Sequence, residues 1–160
     1  MANLEVKIEY MQPQTLYGLW KKSNDKTVSK DIKALSKQVN AVLSRPEGKV
    51  LPYFVLSRNY KEQSGDFELF IGSVTRKDGF VELGLLGGEY AKITVKPKLG
   101  FLWGPAVGEA KRYFYKSWLP ASPFKALNME YEHHTEKSMG KQPEIDVIFA
   151  VRRKAVCEDK

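Results

Sequence analysis

The residues with the most chemical potential form one run, Met129-Glu130-Tyr131-Glu132-His133-His134. In an extended chain successive side chains alternate, so Glu130, Glu132 and His134 share one face and Met129, Tyr131 and His133 the other. Two carboxylates in such a row have two available roles. On an open sheet face they are simply solvated. Inside an aromatic groove, a carboxylate pairs with a cationic ligand, or its pKa rises and it works as an acid or base. The aromatic supply is ample, with 3 Trp, 8 Tyr and 8 Phe. Tyrosine joins a wide contact face to a polar tip, which suits a ligand cleft as well as a core edge. Tyr17, Tyr53 and Tyr90 are candidates of this kind. Trp103 is another, although it also fits the core-facing side of a helix. Ile148 enters through the strand that follows, where Asp146, Ile148 and Ala150 make a mixed face. That face is expected to look away from the helices and to be able to line a groove.

Other chemistries fail on residue type and spacing. His133 and His134 are the only histidines, and neighbours on a strand point to opposite sides, so they cannot hold one metal together. No Cys/His cluster exists, so neither a metal nor a cofactor is expected. Ser117, Ser122 and Ser138 lack the elbow and the partner order of a hydrolase triad. Gly84, Gly87 and Gly88 fall between strands instead of opening a helix, which makes them turn residues and not a phosphate loop.

The elements that must position these residues are legible from periodicity. Residues 6–20 read as extended, interrupted at Pro13. Residues 23–27 read as a loop ending in helix-cap types. Val28, Ile32, Leu35, Val39 and Leu43 recur at helical spacing, and Pro46 and Gly48 stop that helix. Strands follow at 53–56 and 67–74, around a polar loop at 59–66, with a turn at Lys77-Asp78-Gly79. The order then recurs. Residues 89–95 alternate as a strand. A helix opened by Gly100 and Pro105 carries Trp103, Val107, Ala110, Phe114 and Trp118, and ends at Pro120 and Pro123. Strands at 128–135 and 145–151 flank a polar loop. Tyr53 to Glu68 and Glu130 to Ile145 are both fifteen residues apart. Equal spacing in the two halves points to a duplicated unit. The expected fold is therefore α+β: tandem β-α-β-β units about a pseudo-two-fold axis, an antiparallel sheet with two helices, and a central ligand cleft at the seam.

With 160 residues, 42% of them apolar and 28% charged, the chain suits one domain, set at 1–154, with a polar tail at 155–160. Cys157 is the only cysteine, which excludes an internal disulfide and fits a reducing, cytoplasmic setting. No signal peptide and no apolar run of membrane-spanning length is visible.

Several segments, taken in order, resemble a known family. They are Gly87-Gly88-Glu89-Tyr90-Ala91, Trp118-Leu119-Pro120-Ala121-Ser122, Tyr131-Glu132-His133-His134 and the strand from Ile145 to Val151. The chain resembles the GyrI-like (gyrase-inhibitor-like) small-molecule-binding family, also known as the effector-binding domain of multidrug-responsive transcription regulators. His134 stands where the family has tyrosine, and Ala150 where it has proline. The resemblance implies ligands held at the central cleft and a glutamate at its floor, carried over to Glu132. It implies binding of bulky apolar or cationic aromatic compounds. It also leaves open hydrolysis of cyclopropane-bearing, DNA-alkylating natural products, with Glu132 directing water, and a gyrase- or transcription-modulating role through a protein partner. Too little chain precedes the first strand for a helix-turn-helix, so a free-standing member is expected.

The formal charge of +7 raises the question of DNA. Apart from Arg152-Arg153-Lys154 the basic residues are dispersed, so few phosphates are neutralised at once. Gel-shift titration should show only weak, salt-sensitive, sequence-independent binding. Tight binding that survives about 200 mM salt, with a sequence preference, would overturn this.

Overall fold

The computed structural model describes residues 4–44, 52–99 and 102–155. Pro46, Gly48, Gly100 and Cys157 lie outside them. The alternating runs become eight strands: β1 (Lys7–Met11), β2 (Gln14–Asn24), β3 (Tyr53–Arg58), β4 (Asp66–Ser73), β5 (Val81–Leu85), β6 (Gly88–Val95), β7 (Phe124–His134) and β8 (Ile145–Arg153). All pair antiparallel in one sheet of order β1-β6-β8-β7-β3-β4-β2-β5. The helices are α1 (Val28–Val42) and α2 (Trp103–Tyr113). None of the helices among the described residues is long and apolar enough to cross a membrane.

Each half supplies strand, helix, strand, strand, and each half's strands stay together: β3-β4-β2 on one side, β7-β8-β6 on the other. They meet at β3–β7, which makes the fold the α+β tandem expected. Two short strands are exchanged between halves. β1 leads into β2 but pairs with β6, and β5 leads into β6 but pairs with β2. The sequence reading missed β5 and took Gly84 for a turn residue. Its five residues, Val-Glu-Leu-Gly-Leu, do alternate, with Leu83 and Leu85 buried and Glu82 and Gly84 exposed, and backbone pairing to β2 makes the strand.

The sheet curls, and both faces are packed. Beneath α1, Leu35 and Val39 pack on Tyr53, Val55, Phe67, Leu69 and Ile71. Beneath α2, Val107, Ala110 and Phe114 pack on Ile93, Val147 and Phe149. The concave face has its own core of Leu16, Phe54, Leu56, Phe70, Tyr90, Tyr131 and Ile148. Gly18 and Gly72 face each other across β2 and β4. A Cβ on either would overlap the other strand's backbone, so this close approach requires glycine.

The second helix does not continue uniformly to Trp118. After Tyr113 it becomes a single π turn, Phe114–Trp118, then a short 3-10 turn, Leu119–Ala121. The wider turn brings neighbouring aromatic residues to the sheet together. Phe114 stacks on Phe149 at 3.9 Å and on Trp118 at 5.4 Å, while Tyr115 meets Phe149 edge-on. Such π turns are rare and recur at functional sites. Phe114 is fully buried. Phe114→Ala should therefore cost about 3–5 kcal/mol of stability in denaturant unfolding; a loss below about 1 kcal/mol would show that the ring is not a core element.

Candidate functional site

The β3–β7 ladder pairs Tyr53 with His134, Val55 with Glu132 and Ser57 with Glu130. Directly paired residues share a face. This face is the one under the helices, because the next strand continues it with Val147 opposite Glu132 and Phe149 opposite Glu130. The helices straddle it: α1 lies chiefly over β2 and β4, and α2 over β6. The central strand pair is thus a trough floored by Glu130, Glu132 and His134 and walled by side chains from each helix.

His134 is 3% exposed. Its Nε2 donates to Glu132 Oε1 at 3.1 Å. The Tyr53 ring meets it edge-on at 5.9 Å from the α1 side, and Trp103 at 6.0 Å from the α2 side. Tyr53 is itself tied to α1 by a 2.6 Å bond between its hydroxyl and that of Ser36. Burial, with Glu132 nearby, holds the Tyr53 hydroxyl above the ordinary phenol pKa.

Glu130 lies one step along the trough. Tyr115, from the π turn, donates to its Oε1 at 2.7 Å. The Lys111 ammonium lies 3.0 Å from Oε2, without the alignment of a hydrogen bond. Burial pushes the Tyr115 hydroxyl far up in pKa, and the charge of Glu130 adds to that. Burial works against the charge of Lys111, but Glu130 and Glu132 outweigh it and hold the ammonium above the ordinary lysine range. The trough therefore has two carboxylates, one ammonium and a ring of aromatic side chains. Among the described residues no group of His, Cys, Asp and Glu is arranged to hold a metal.

No family model and no curated protein matches the sequence. Solved structures match its shape. The integron cassette protein VCH_CASS2 from the mobile metagenome of Vibrio cholerae superposes with a TM-score of 0.67 at 16% identity, over 94% of this chain and 100% of that one. SAV2435 bound to tetraphenylphosphonium gives 0.67 at 10% identity, over 92% and 94%. The EcmrR C-terminal domain gives 0.63 at 11% identity, over 94% and 99%. At these identities the likeness shows a shared fold, the one that the GyrI-like resemblance implied.

Within that fold the candidate residues separate into two groups. Tyr17, Ser73, Tyr53 and His134 lie in one cross-strand row, with Trp103 against the far end and Glu132 two residues along β7. Tyr90 and Ile148 lie on the opposite face, in the concave core. There the face carrying Asp146, Ile148 and Ala150, expected to line a groove, is instead packed: Ile148 is 2% exposed and Ala150 6%. His133 also points that way and stacks on Phe54 at 4.6 Å, and burial lowers its pKa. Sequence reasoning did not single out Lys111, and left Tyr115 among the tyrosines suited equally to a cleft or a core edge. Their spacing of four puts them on one helix face, and that was the available signal.

The side chains of the trough contact one another across it, Tyr53 and Trp103 against His134 and Tyr115 against Glu130. Open concavities of about 820 Å³, along Lys22, Asp31 and Glu68, and about 200 Å³, along Thr94, Lys98 and Glu109, lie elsewhere. Tyr115→Phe removes the one directed hydrogen bond to Glu130 Oε1 from α2's extension. It should cost about 1.5–3 kcal/mol in denaturant unfolding, as expected for a bond to a charged acceptor. An unchanged midpoint would mean that Glu130 takes its partner from water.

Proposed function

We propose that the chain binds bulky aromatic small molecules, lipophilic cations foremost, in the trough over β3 and β7. The observation that carries this reading is the setting of Glu132. Its side chain, 17% exposed, lies at the floor beside an imidazole flanked by Tyr53 of β3 and Trp103 of α2. A half-buried carboxylate among aromatic faces attracts a cation through both its charge and the ring quadrupoles. A delocalised cation asks for no hydrogen bond, only for charge and contact area. The fold supports the same reading, since a structure sharing it, SAV2435, was solved with tetraphenylphosphonium.

Entry requires the wall side chains to swing outward. Trp103 stands at the first turn of α2 and can move without breaking the sheet.

The test is Glu132→Gln, which removes the charge and keeps the shape. Affinity for a planar cationic dye, followed by quenching of tryptophan fluorescence, should fall about 10- to 150-fold, while a neutral ligand of similar size binds as before. Unchanged dye affinity would leave Glu132 as a structural partner of His134. Turnover of a cyclopropane-bearing electrophile that Glu132→Gln abolishes, with dye affinity intact, would replace this reading with hydrolysis.

A further inference from the structure

Lys111 brings the trough its one positive charge among the described residues. Its ammonium comes from α2 to a floor that already bears Glu130 and Glu132. Glu130 Oε2 is buried and receives no aligned hydrogen bond, although the ammonium is 3.0 Å away. The contact is a close ion pair, and a lipophilic cation could take up the remaining charge of the same floor. About a third of the Lys111 side chain remains exposed, while the Glu130 side chain is 14% exposed. Lysine is a compact point charge on a flexible four-carbon stem, able to stay against Glu130 while a ligand is held beside Glu132.

We infer that Lys111 is a tethered occupant of the cation site: it neutralises Glu130 and leaves the trough one net negative charge, which selects singly charged over doubly charged ligands. This rests on the reading of the trough as a cation site. The charge count gives it content. Two carboxylates and one ammonium complement a single positive charge. Without Lys111 the same floor would present two negative charges and would favour a dication. At the separations within the trough, one added unit charge at an effective dielectric constant of about 20 changes affinity by about tenfold or more. Screening and distance make the smaller figure the safer expectation.

Ethidium and propidium make the test, since they share a phenanthridinium ring and differ by one positive charge. Affinities are measured by dye fluorescence on the whole chain at one pH and low salt. The wild type should bind ethidium at least as tightly as propidium. Lys111→Met keeps the stem and removes the charge, and should shift the propidium-to-ethidium affinity ratio about tenfold or more towards propidium. Lys111→Gln should do the same, and serves if Lys111→Met fails to fold. Lys111→Arg should keep the wild-type ratio. A wild type that already prefers propidium strongly overturns the inference, as does an unchanged ratio in folded Lys111→Met or Lys111→Gln. Glu132→Gln separates the two levels of argument. If it weakens both dyes while the lysine variants leave the ratio alone, the trough binds cations and only the role of Lys111 is wrong. If neither dye binds the wild type or any variant, the reading of the trough fails with it.

Discussion

The ladder between β3 and β7 is the joint on which everything else hangs. Six residue pairs, from Tyr53–His134 to Arg58–Met129, hold the two halves in one sheet. Both faces of that ladder are packed. Phe54, Leu56 and Tyr131 feed the concave core, while Tyr53 and Val55 feed the layer under α1. A slip of one residue would send every side chain to the other face. Tyr131 would then face the helices, and Glu132 would be driven into a core without a polar partner. Burying an unpaired charge costs far more than any single contact returns. The register is thus pinned from both sides, and the polar row under the helices is a consequence of the apolar row behind it.

That row has to be partnered where it lies. His134 satisfies Glu132, and Tyr115 and Lys111 satisfy Glu130. The partners come from β7 itself and from α2, so the second helix and the floor of the trough hold one another in place. The π turn matters here for a geometric reason. Phe114 has to enter the core beneath α2 and stack on Phe149, yet its neighbour Tyr115 has to reach Glu130. Both meet the sheet from this turn, Phe114 stacked on Phe149 and Tyr115 edge-on to it.

The exchange of β1 and β5 between halves adds a second link. Each unit's sheet ends on a strand led in from the other unit. Pro13 and Gly87, at the two crossing turns, lie in contact: a Cβ on Gly87 would strike the Pro13 ring. The halves are therefore tied at the central ladder and at the two edges, and across the trough between the helices the contacts are those of side chains.

Much of this was written in local pattern. Helical spacing from Val28 to Leu43 and alternation along residues 89–95 follow from the need of each element to present one apolar face. The equal hairpin spacings implied two like units, and the alternation of Glu130, Glu132 and His134 is readable in six letters. Three things were not. The five residues of β5 alternate, but nothing local says that they pair with β2. The π turn reflects competition between Phe114 and Tyr115 for the same sheet, which helix propensity does not record. The direction in which the Glu130 row faces was also hidden, and the mixed face of Asp146 and Ile148 was expected to be able to line a groove. Alternation says which residues share a face, but not which face meets the helices. That choice depends on where Val147 and Phe149 of β8 and Val55 of β3 find their apolar partners, across segments distant in sequence. Only the closed tertiary structure brings Lys111 and Tyr115 of one helix to Glu130, and Tyr53 of the other half to His134.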